Sequence, residues 1–103
     1  MADEQKRYIV NVSKNASEML NDHLLLLVEV SLDAAEKLAD DFDEAFDSLR
    51  TMPNRCPRFS TNNTNETYRK LVIGRYQLIF SVNEERGLVD IKYILDSRRS
   101  NDI

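Results

Sequence analysis

The chain has 103 residues, 42% of them hydrophobic and 31% charged, with two glycines, two prolines, one cysteine and a net charge of −4. That composition excludes a disordered chain, a collagen-like repeat and a disulfide scaffold, and the length leaves room for one domain, 1–103, around a single core. The charge is uneven: residues 1–50 carry 5 Lys/Arg against 12 Asp/Glu and residues 51–103 carry 9 against 6, while a pI of about 4.9 argues against a general nucleic-acid binder.

The opening MADEQKRYIV has no long apolar stretch after its basic residues, so neither a signal peptide nor a membrane anchor is expected there. The apolar run LLLLVEV is too short to span a bilayer. Cys56 has no second cysteine to pair with, and no Cys/His cluster offers itself to a metal. The expectation is a cytoplasmic protein with no cofactor, no metal and no membrane partner.

The first element is a strand, Tyr8 to Val12, alternating around β-branched residues. Asn15 followed by Glu18 has the spacing of a capping box, which predicts a helix over Ala16 to Val30; the run LLLLV is also compatible with a buried strand. Ser31 is placed to cap a second helix, in which Leu32, Ala35, Leu38, Ala39, Phe42, Ala45, Phe46 and Leu49 recur at three- and four-residue steps. Its opposite face carries Glu36, Lys37, Asp40, Asp41, Asp43, Glu44 and Asp47, a solvated surface that would also turn nucleic acid away. Met52-Pro53 is the expected stop, because proline disfavours a helical residue before it. Pro53 to Thr67 then reads as a long loop.

Three strands follow, Tyr68 to Ile73, Tyr76 to Val82 and Leu88 to Leu95, joined by turns at Gly74 and at Asn83 to Gly87. The order β-α-α-β-β-β predicts an α+β fold, with a helical hairpin packed on one face of a small, mainly antiparallel sheet. Alternation puts Tyr76, Leu78, Phe80 and Val82 on the core face of the second of these strands, with Gln77, Ile79 and Ser81 on the other. In the last strand Val89, Ile91, Tyr93 and Leu95 share one face, and Asp90, Lys92, Ile94 and Asp96 the other. Tyr76 and Tyr93 are expected in the core, Cys56 in a semi-buried or loop position, and His23 in a structural role among Leu20, Leu24 and Leu27. Arg69 or Lys70, Arg75, Gln77, Lys92, Arg98 and Arg99 would then gather over or beside the open face, where arginines suit a phosphodiester.

The stretch SLDAAEKLADDFDEAFDSLRTMPNRCPRF, followed by YRKLVIGRYQLIFSVNEERGLVDIKYILDSRR, resembles the RelE/ParE superfamily, the plasmid-stabilisation-like toxins of bacterial type II toxin–antitoxin modules. The resemblance covers nearly the whole chain and implies the same helical hairpin and sheet. It also implies a cognate antitoxin, a possible homodimer, and one of two targets. RelE-like members cut ribosome-bound mRNA without a metal: a base takes the ribose 2′-OH proton, cations stabilise the phosphorane, and an acid protonates the leaving oxygen. ParE-like members poison DNA gyrase without catalysis. On the first reading the catalytic candidates are Arg98, Arg99, Arg75, Gln77 and Asp96, with Arg69, Lys70 and Lys92 binding nucleic acid or target. Gln77 stands where RelE-like chains commonly carry an arginine, Asp96 stands where a histidine is frequent, and the terminal LDSRR is closer to the ParE ending. A non-toxic protein of the same fold is the alternative.

Overall fold

The computed structural model describes residues 7–59 and 67–96. Its elements are β1 (Ile9–Val12), α1 (Lys14–Val30), α2 (Leu32–Ser48), a 3₁₀ turn (Pro53–Arg55), β2 (Arg58–Phe59), β3 (Tyr68–Ile73), β4 (Tyr76–Asn83) and β5 (Leu88–Asp96). The strands form one sheet in the order β1-β5-β4-β3-β2. β1 runs parallel to β5, and the other pairs are antiparallel. This is the expected order with one addition. The segment read as a loop contains the 3₁₀ turn and the short β2, whose Arg58 and Phe59 pair with Arg69 and Tyr68.

The cap of α1 is Ser13 rather than Asn15. Ser13 Oγ accepts from the Ala16 N–H at 3.0 Å, and the helix begins at Lys14, two residues earlier than the capping-box reading placed it. Tertiary structure decides between the two caps: the Ser13 hydroxyl also lies 3.3 Å from the Lys92 carbonyl, to which it donates, and the Ser13 N–H donates to Ile91 O at 3.0 Å, so the helix start is pinned to β5. Ser31 serves both helices. Its N–H donates to Leu27 O at 2.8 Å, closing α1, and its Oγ accepts from Ala34 N–H at 3.1 Å, opening α2. α2 stops at Ser48, short of Pro53, with the fully buried Leu49 as its C-cap.

The α2 stripe buries Ala35, Leu38, Phe42 and Ala45, leaving Phe46 half-buried at its margin. Against it stand Tyr76, Leu78, Phe80, Val89, Ile91 and Ile94, with Ala16 of α1 and Tyr8 completing the core. Cys56 belongs to this core too, at 3% exposure, a correction to its loop reading; burial pushes its thiol pKa up, against the pull of Arg55 and Arg69. Gly74, at φ 59°, is the first residue of the two-residue turn between β3 and β4, a position where a side chain would be strained. Glu84, in the β4–β5 turn, accepts from the Tyr8 hydroxyl at 2.8 Å and from the Asn54 side-chain amide, tying that turn to β1 and the 3₁₀ turn.

Candidate functional site

The strand register decides what each sheet face displays. Under the helices, Leu78 lies between Leu71 and Ile94, and Tyr76 between Ile73 and Asp96. On the far face Gln77 lies between Val72 and Leu95, and Ile79 between Lys70 and Tyr93. The alternation of β5 breaks once. Phe80 pairs with Ile91 and Ile79 with Tyr93, so Lys92 is an extra residue in a β-bulge. Past it every side chain changes face. Tyr93, expected in the core, is 41% exposed; Ile94 and Asp96, expected on the open face, are buried.

The candidate residues therefore separate. Lys70, Gln77 and Lys92 stand on the far face, as expected. Arg69 faces the other way, where its guanidinium donates to the carbonyls of Cys56 at 2.6 Å and Asn54 at 3.3 Å and holds the 3₁₀ turn to the sheet. Arg75 and Asp96 meet at the end of the helix side, Nε to Oδ2 3.8 Å apart, with the guanidinium 5.5 Å over the Tyr76 ring. Arg98 and Arg99 lie outside the described residues.

The Arg75–Asp96 pair closes a crevice of about 220 Å³ whose other wall is His23, Leu26, Leu27 and Val30 of α1. His23 sets its ring edge-on to Tyr76 at 4.9 Å between centroids. Sequence reasoning kept this histidine away from the arginines because 52 positions separate it from Arg75; only the packing of α1 across the sheet brings them to one place. The crevice joins an imidazole, a guanidinium and a carboxylate, but on the helix side, opposite Lys70, Gln77 and Lys92. The far face offers lysines, an amide and the phenol of Tyr93. Its carboxylate, Asp90, accepts from the Asn11 side-chain amide at 3.0 Å. Among the described residues no group of three or more His, Cys, Asp and Glu is placed to hold a metal.

Residues 6–101 match the family model for the ParE toxin of the type II toxin–antitoxin system parDE. The chain belongs to the ParE toxin family. It is the toxin component of such a system. Two solved structures share the ParE-family chain's fold. An archaeal RelE–RelB complex from Pyrococcus horikoshii OT3 has a TM-score of 0.62 at 19% identity, covering 91% of this chain and 99% of that one. The toxin–antitoxin complex RelBE2 from Mycobacterium tuberculosis has a TM-score of 0.63 at 18% identity, covering 90% and 94%. Among curated proteins none matches. In this ParE-family toxin no described helix is long and apolar enough to cross a membrane.

Proposed function

We propose that this toxin arrests growth by binding DNA gyrase through the far face of its sheet, as a poison without chemistry of its own, and that a cognate antitoxin restrains it. The observation that carries this reading is the turn of β5 at Lys92. The bulge directs Asp96 into the helix-side crevice with Arg75, so among the described residues the far face keeps Lys70, Gln77 and Lys92 with no arginine beside them, and its carboxylate, Asp90, is engaged by Asn11. Cations and a neutral amide suit recognition better than proton transfer. An antitoxin has apolar side chains to cover: Leu25, Leu26, Val28 and Val30 of α1 and Leu32 of α2 are all exposed near the α1–α2 junction.

The test pairs a gyrase supercoiling assay with a ribosome-dependent mRNA cleavage assay on the purified toxin. Inhibition of supercoiling with intact mRNA supports the reading. Cut mRNA with untouched supercoiling overturns it in favour of a RelE-like nuclease, and neither effect favours a non-toxic relative. Co-purification with the protein encoded beside it tests the antitoxin.

A further inference from the structure

The bulge that turns Asp96 inward also turns Tyr93 outward, into a hollow of about 370 Å³ lined by Ser13, Lys14, Asn15, Lys92 and Tyr93. Two cations from different elements meet here. Among the described residues neither the Lys14 nor the Lys92 ammonium has an ion-pair or hydrogen-bond partner, whereas Lys37, Arg50, Arg69 and Arg75 are each engaged. Their backbone positions are fixed to one another, because Ser13 bonds at once to the Ala16 N–H, to the Lys92 carbonyl and, through its own N–H, to Ile91 O. Ser13 thereby caps the helix through the Ala16 amide, and the lysines supply the full positive charges of the hollow. Asn15, displaced from the capping role its spacing suggested, is exposed with its side-chain amide unused among the described residues.

We propose that this hollow takes one nucleotide unit of a single nucleic-acid strand, with the phosphate between Lys14 and Lys92 and the base stacked on the Tyr93 ring. It deepens the reading above, in which the far face meets the target, by naming a strand as part of what is met. Two ammonium groups unneutralised among the described residues select an anion, and an exposed aromatic face beside them adds what an unpaired base uses and a carboxylate does not. The neighbouring hollow, on the other side of Lys92, is lined by Glu84, Glu85 and Asp90 and repels phosphate, so the strand leaves the site toward Lys14.

The experiment is fluorescence anisotropy of a short labelled oligothymidylate, and of the matching oligouridylate, against the full-length purified chain over a range of salt. Binding is expected to weaken with salt. Lys14→Gln combined with Lys92→Gln should flatten that dependence by about 0.7 in the log–log slope, one single-strand phosphate contact's worth. Tyr93→Leu should weaken binding by about 5-fold or more with the slope unchanged, while Tyr93→Phe keeps it. Arg86→Gln, an exposed cation outside the hollow, should change neither, and thermal melts confirm that each variant is folded. Preference for thymidylate points to DNA at the gyrase complex, preference for uridylate to RNA. No binding to either strand overturns the proposal, as does equal binding of an oligoglutamate peptide that the same variants abolish. If gyrase is poisoned but no strand binds, this proposal fails and the gyrase reading stands; if a strand binds but gyrase is untouched, the reverse holds.

Discussion

The two faces of the sheet use the same strands and obey different rules. Under the helices the side chains are apolar from Val89 through Leu78 and Phe80 to Ile94, with one carboxylate, Asp96, at the end. Away from the helices the rows mix Lys70 with Ile79 and Tyr93, and Val72 with Gln77 and Leu95. Stability is concentrated on the first face; on the second Ile79 is buried as well, at 1% exposure, while Lys70, Gln77 and Tyr93 around it are free to vary in chemistry. The bulge at Lys92 is where the faces exchange residues, so it belongs to both.

Inserting one alanine between Tyr93 and Ile94 should break the comparison most severely. The added residue would drive Leu95 toward the core and expel Ile94 and Asp96, reversing the strand end beyond it. Loss of the cooperative unfolding transition is expected, against near-normal melting for Lys92→Ala. Next in size, Phe42→Ala should cost about 3–5 kcal/mol in denaturant unfolding, from lost burial and a cavity. Phe46→Ala should cost clearly less, since that ring is only half-buried; equal costs would contradict the placement of the core.

Asp96→Asn sharpens the contrast between crevice and far face. Weakening a buried carboxylate's partnership with Arg75 should lower stability by about 1–3 kcal/mol, with growth arrest retained at a temperature where the variant is folded. Arrest lost in a folded Asp96→Asn chain would make the crevice a working site. Tyr8→Phe is expected to cost about 1 kcal/mol, the net worth of one hydrogen bond. Burial, reinforced by the Glu84 carboxylate, raises the Tyr8 pKa above its usual 10.0. Folding thus favours the neutral phenol, and its stabilisation is complete below pH about 10 and is lost as pH climbs through the raised value. Wild type should therefore lose stability above pH about 10 more steeply than Tyr8→Phe. Smallest in stability, Lys70→Gln with Gln77→Ala should shift unfolding by about 0.5 kcal/mol yet weaken gyrase inhibition; unchanged inhibition would take the far face out of target binding.

The helices and hairpins were legible because their signals are local. Ser31 caps α2, the stripe from Leu38 to Phe42 faces the core, and Gly74 makes its turn. What escaped is set by partners far along the chain. Ser13 prevails over Asn15 because the Lys92 carbonyl and Ile91 are there to fix it. The bulge left one trace, the consecutive apolar run Tyr93-Ile94-Leu95, which strict alternation cannot place on one face. Of the candidate site, the side of Lys70 and Gln77 could be read from alternation. The recruitment of Arg69 to Cys56 and the meeting of Asp96 with His23 could not.

The parallel pairing of β1 with β5 has a consequence for the order in which the toxin is made. Residues 9–12 are synthesised well before 88–91, their strand partner among the described residues, and β5 is what joins β1 to β4 and the rest of the sheet. A nascent chain that has not yet reached Leu88 has its helices, but its first strand has nothing to pair with. Contacts of such long sequence separation form late and slowly. Completion of the sheet is thereby postponed until β5 has been made, an interval in which the growing polypeptide is not yet the folded protein that an antitoxin must restrain.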